Sequence, residues 1–352
     1  MKYKRTIGSL ALVGMLVLSG CSENKSAKVE GISNQKTESS KNTGNTAQMK
    51  GKDIPQKYEK SCDNIQFNTE IICPDEVRNK PLYKEKSIKN EYSEEKIRNV
   101  LEVTTEDFSV SSYGVTYCTQ LGEQIMGCVD LDSRGGNLDV YRKNEDLEFC
   151  TKDEAVNDVL QTIKDMGISL GEVSTVVYAM DHETLKSQEN KDGLEENIPY
   201  MRGNWSKDDD AYFIGIRQTV QGVEEYHPNA DVFKNDGDDN MPITVIYSKD
   251  GIESLDIERT FTFEQTGEEM ELASIESIFD TIEREYTQLI TDSKFNVSSA
   301  KFYYKTPTMG KDMRPVWLIH MQEVTADGTV YEIVSVYDAQ TGKEIVMEGT
   351  SA

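Results

Sequence analysis

Apolar side chains recur along this chain with two rhythms, one of period two and one of period three to four. Ile65, Phe67 and Ile71 alternate with Gln66, Asn68 and Glu70, the pattern of a strand with one wet face, and Cys73-Pro74-Asp75 stops it. Residues 81–88 make a second, less regular strand. Ser93 then stands as a helix N-cap, with Glu94 and Glu95 in the first turn and Ile97, Val100 and Leu101 as the buried stripe. Residues 112–120 and 124–131 read as strands, and 134–137 as a turn leading into 138–141.

The longer period begins at Thr151, where Thr151 and Glu154 form a capping box. Val156, Val159, Leu160 and Ile163 follow at helical spacing, and Gly167 ends the element. Strands are expected at 172–180, 211–220 and 243–247. Lys249-Asp250-Gly251 turns the last of these into 252–263. Ser274 opens a second helix, with Ile275, Ile278, Phe279, Ile282, Tyr286 and Leu289 on one face. Strands at 298–304, 315–324, 329–337 and 343–347 complete the chain. Two helices, each followed by a run of strands, predict an α+β fold: a repeated unit of one helix on an antiparallel four-stranded sheet.

The first 57 residues follow neither rhythm. Lys2, Lys4 and Arg5 precede an apolar stretch of about 12 residues, the layout of a secretory signal and too short to span a bilayer. Leu18-Ser19-Gly20-Cys21 ends it and resembles the lipobox of bacterial lipoproteins. That resemblance implies cleavage after Gly20, diacylglycerol and palmitate-type acylation of Cys21, and anchorage in the cell membrane on its extracytoplasmic face. Residues 22–50 hold almost no apolar side chains and read as a disordered tether. At ~5–6 Å times the square root of its length, the tether spans about 30 Å on average.

Charge narrows the partners. The chain of 352 residues carries a net charge of −25. Without Lys2, Lys4 and Arg5 the mature form has 35 basic against 63 acidic residues, or −28. Phosphate contacts rest on clustered Lys and Arg, so nucleic acid is not expected as a partner. With 17 Tyr and 10 Phe the chain has material for real cores. Five cysteines remain beyond Cys21, an odd set outside the cytoplasm; bridges Cys62–Cys73 and Cys118–Cys128 stay open, and no CxxC spacing points to zinc.

Chemistry is sparse. His182, His227 and His320 show no metal-binding spacing, and no catalytic residues or cofactor are expected, there being no nucleophile elbow or phosphate loop. Asp236, Asp238 and Asn240 have the 1-3-5 spacing of a calcium loop, but Met241 and Tyr247 stand where Gly and Glu are needed. A low-affinity calcium site shared with Asp208 and Asp210 is weighed here against two solvated acidic loops.

Phe213-Ile214-Gly215-Ile216-Arg217-Gln218-Thr219-Val220-Gln221-Gly222-Val223 resembles the core strand of PepSY-type domains. Arg314-Pro315-Val316-Trp317-Leu318-Ile319, followed by Tyr337-Asp338-Ala339-Gln340-Thr341-Gly342-Lys343-Glu344-Ile345, resembles the ending shared by those domains and YycH/YycI-type extracytoplasmic regulators. The resemblance covers about 151–348 and implies PepSY-like units at 151–263 and 264–352. Before them come a signal peptide (1–20), a lipidated tether (21–57) and a small α+β unit (58–150). The expected function is a membrane-anchored, non-catalytic binding or regulatory ectodomain. It would contact the bilayer through the Cys21 acyl chains and an unknown envelope protein or peptide. A protease-inhibitor-like role, an envelope hydrolase and the substrate-binding lipoprotein of a transporter are the alternatives.

Overall fold

The computed structural model describes residues 48–49, 54–103, 107–129, 137–189, 202–226, 241–305 and 313–345, all within one compact unit, Ala47–Ala352. In chain order its strands are β1 (Gln48–Met49), β2 (Lys57–Cys62), β3 (Ile65–Ile72), β4 (Leu82–Lys89), β5 (Phe108–Val110), β6 (Val115–Cys118), β7 (Arg142–Lys143), β8 (Glu172–Met180), β9 (Ala211–Val220), β10 (Val223–Tyr226), β11 (Ile243–Ser248), β12 (Gly251–Ile257), β13 (Phe261–Met270), β14 (Leu272–Ala273), β15 (Lys294–Lys305), β16 (Arg314–Val324) and β17 (Val330–Asp338). The helices are α1 (Asp75–Asn79), α2 (Glu94–Val100), α3 (Gln120–Val129), α4 (Lys152–Asp165), α5 (His182–Gln188) and α6 (Ile275–Thr287).

Period-two patterning places β3, where Ile65, Phe67, Thr69 and Ile71 are buried and their neighbours exposed. The capping box of α4 forms as its sequence demands, with the Glu154 backbone donating to Thr151 Oγ1 and the Thr151 backbone to Glu154. Ser274 caps α6, whose Ile275, Ile278, Phe279 and Ile282 are buried. Strands β8 and β9 fall where the alternation and apolar runs put them.

The assembly of these elements overturns the repeated four-stranded unit. A single 13-stranded mixed sheet runs β17-β16-β15-β10-β9-β11-β12-β6-β5, with β2–β3 added on β15 and β7–β8 on β9. Its pairings are not all antiparallel, because β15 takes both β3 and β10 in parallel. A helix-plus-strands rhythm in sequence does not say which edges meet. Here β10, four residues long, pairs antiparallel with the end of β9 and parallel with the end of β15, splicing two groups of strands into one surface. Gln221 (φ +53°) and Gly222 (φ +76°) form the two-residue turn that leads into β10, the geometry that matches strand twist.

Three cores result. The α4 core holds Val159 and Ile163 against Ile214, Ile216, Val245 and Leu255. The α6 core holds Ile278, Phe279 and Ile282 against Phe67, Phe295, Trp317 and Ile319. Within it Tyr58, Phe67 and Phe279 meet at 4.7–5.5 Å between ring centroids, each ring adding about 1.5–3 kcal/mol by burial. A third core, on the opposite face of the first strand group, gathers Ile125, Cys128, Leu185, Tyr178 and Phe213.

Other local expectations are corrected. Residues 124–131 are not a strand: α3 occupies this stretch because Leu121, Ile125 and Cys128 share a helical stripe facing that third core. Gly122 permits the fit, since a Cβ there would stand 2.3 Å from the Glu253 carbonyl oxygen. Residues 137–140, at the end of the expected turn, form a 3-10 helix. The strand over 252–263 breaks after Ile257, and Phe261–Met270 leaves the large sheet to pair with β4. The five described cysteines beyond Cys21 are free thiols. The eight residues of β3 separate Cys62 from Cys73 by about 26 Å at ~3.3 Å per residue, and a helix separates Cys118 from Cys128; a disulfide needs Cα atoms within about 7 Å.

Candidate binding site

Strands β4 and β13 form a two-stranded arm that stands off the main sheet. Its sequence is built for exposure: Lys84 and Lys86 on one strand face Glu268 and Glu264 on the other, at 2.5 Å and 3.8 Å. Gly267 (φ +79°) lies at the break in register between Gln265 and Glu269.

Two glutamine side chains hold the arm to the body. Gln218, 1% exposed, donates to the Leu170 and Phe261 carbonyls at 2.6 Å each and accepts from Phe261 N–H at 2.8 Å. Gln221 does the same for the other strand, accepting from Tyr83 N–H at 3.1 Å and donating to Tyr83 O at 2.8 Å. Each amide thus imitates one residue of a neighbouring strand. The Gln218-Thr219-Val220-Gln221-Gly222 stretch, singled out in the sequence, owes both glutamines to this work.

Between the arm and the β15–β16 end of the sheet lies an open cleft of about 340 Å³, lined by Lys84, Glu85, Thr266, Glu268, Met270, Met313, Arg314 and Gln340. Met270 and Met313 are buried and supply its apolar part. Glu85 is 6% exposed, and burial pushes its carboxyl up against a single hydrogen bond from Gln221 at 2.8 Å. The Tyr304 hydroxyl is buried without a hydrogen-bond partner and feels the Glu85 charge. Arg314 is exposed and, among the described residues, makes no ion pair or hydrogen bond through its guanidinium.

Beside the cleft, where β9, β10 and β15 join, Glu224 takes Arg217 at 3.3 Å, Lys301 at 3.2 Å and the Ser174 hydroxyl at 2.9 Å. Burial raises the Glu224 carboxyl, but Lys301 and Arg217 outweigh it and hold the group below its ordinary value. Lys301 also stands 4.6 Å over the Tyr303 ring. This network anchors the seam.

With that geometry in view, comparison with known proteins speaks to the fold. No family model and no curated protein matches the chain. Among solved structures it is similar to an uncharacterized protein from Eubacterium rectale, with TM-score 0.53 and 18% identity over 84% of this chain and 94% of that one. At that identity the likeness shows a shared fold alone.

The residues singled out from sequence are dispersed or engaged elsewhere. Asp208 pairs with Lys249 at 2.7 Å. Asp210 accepts from the His182 backbone and ring Nδ1, both at 2.7 Å. Asp209 between them is buried against Arg202, and Asp181 caps α5 through Thr184. Asp236, Asp238, Asn240 and His227 lie outside the described residues, as do Gly20 and Cys21. His320 sits within β16 opposite Ser299 and Val334. Trp317, 1% exposed, meets Phe302 edge-on at 5.0 Å and fills the α6 core. Asp338 accepts from Gln340 and Thr341 N–H to shape the hairpin turn. The cleft itself was missed; the alternating lysines of 84–86 and glutamates of 264–269 were its one visible sign.

Proposed function

We propose that this protein is a bacterial lipoprotein, moored outside the cytoplasmic membrane through Cys21, whose body binds a ligand without transforming it. The observation that carries the binding role is the cleft. Its lining brings together a desolvated carboxylate at Glu85, a guanidinium at Arg314 that no described residue pairs, and two methionines. A fold that buries a carboxylate without a cation beside it forgoes stability, and a concave site with a few convergent polar groups is where that loss has a use. Met side chains adapt to varied ligand shapes.

Anchorage rests on the lipobox-like Leu18-Ser19-Gly20-Cys21, and two or three acyl chains at ~0.8 kcal/mol per buried methylene hold firmly.

The test has two arms. Wild-type protein should partition with membranes, whereas Cys21→Ser should be shed into the medium; retention of that variant on membranes would refute the anchor. A photo-crosslinking residue at Thr266 should capture a ligand or partner in intact cells, while one at the fully exposed Ile290 should not. Equal yields from both positions would refute the cleft as the binding site.

A further inference from the structure

We infer that the cleft between the arm and the sheet receives the free carboxyl terminus of a short peptide, with Arg314 as the carboxylate receptor and Glu85 as acceptor for a peptide N–H or amine. This rests on the cleft being the binding site. Of the two cations at the cleft, Lys84 is committed to Glu268 at 2.5 Å, which leaves Arg314 as the group available to an anion. Its planar fork matches a carboxylate in bidentate fashion. The Gln340 side-chain amide adds a donor to the lining; among the described residues only its backbone N–H is engaged, by Asp338.

The acidic part of the lining decides what kind of anion fits. Glu268 is balanced by Lys84, but Glu85 has no cation beside it, so a phosphate or sulfate carrying two charges would meet an uncompensated carboxylate in a volume of about 340 Å³. A single carboxylate whose next atoms are N–H donors meets complementary charge on both sides. Glu85 is nine-tenths buried and bonded only to Gln221, which leaves acceptor capacity on its carboxyl group. The Tyr304 hydroxyl, buried and without a hydrogen-bond partner among the described residues, feels the Glu85 charge although it does not line the cleft. Met270 and Met313 offer a pliable surface for the terminal side chain. The volume lies at the small end of ligand sites, suited to a chain end whose remainder runs out through the open mouth.

The experiment uses the full lipoprotein in detergent micelles. It compares a tripeptide library bearing free α-carboxylates with the same library amidated at its carboxyl end, read by fluorescence anisotropy. The free-acid library should bind about 30-fold more tightly, the equivalent of roughly 2 kcal/mol for a charge-assisted bidentate contact. Arg314→Ala should abolish that difference and Arg314→Lys should restore part of it. Because Arg314 is exposed and has no ion pair among the described residues, an unchanged thermal melt is expected and checks folding. Equal binding of both libraries, or an unchanged preference in Arg314→Ala, would overturn the carboxylate assignment while leaving the cleft as a site. If neither library binds, the inference falls, and the cleft reading falls with it only where Thr266 also captures nothing in cells.

Discussion

Replacing Gln218 by Leu tests whether the arm is held by side-chain amides. The substitution keeps the volume of the side chain and removes three hydrogen bonds, two at 2.6 Å and one at 2.8 Å. Gln218 is 1% exposed, so water does not replace the lost partners. At about 1 kcal/mol net for each bond, and more where a buried group is left bare, the loss should come to about 3 kcal/mol. For a unit of this size, with an unfolding entropy of ~2.1 cal/mol/K per residue, that lowers Tm by about 5 °C. Hydrogen exchange followed by mass spectrometry should locate the effect, with amides of β4 and β13 exchanging faster while those of β9 and β15 keep their protection. A melting temperature within about 1 °C of the parent, together with unchanged exchange in the arm, would refute the idea that this amide secures it.

Two other outcomes follow from the same structure. The Glu224 carboxyl is held below its ordinary value of 4.5 by Lys301 and Arg217 despite burial, so the stability it contributes is present at neutral pH and disappears as pH falls below about 4.5. Denaturant midpoints should therefore decline through that range in the parent and decline less in Glu224→Gln; parallel curves would contradict the linkage. Trp317 is buried with its indole N–H unpartnered, so Trp317→Phe should cost under about 1.5 kcal/mol while Trp317→Ala costs about 3–5 kcal/mol, and equal losses by chemical denaturation would show that packing is not its role.

Local structure was legible in the sequence wherever one element decides its own conformation. The capping box at Thr151, the Ser274 cap, the alternation over 65–72 and the apolar runs of β8 and β9 required no knowledge of the partner. The reading failed where tertiary contact chose between two periods: Leu121, Ile125 and Cys128 share a helical face, yet the same stretch also reads as strand, and its contact with β12 and α5 settled the matter. Sheet topology was hidden for a related reason. Nothing in Val223–Tyr226 announces that it will pair antiparallel on one side and parallel on the other. The cleft depends on residues separated by more than two hundred positions, from Lys84 to Gln340, and no local pattern encodes that meeting.

The splice at β10 has a mechanical consequence. Rotation of the α4 core against the α6 core would have to tear one of the two-residue ladders of β10 and strip Glu224 from Arg217 or Lys301 at the same moment. The sheet therefore behaves as one stiff plank at that seam, leaving the amide-held arm as the compliant part.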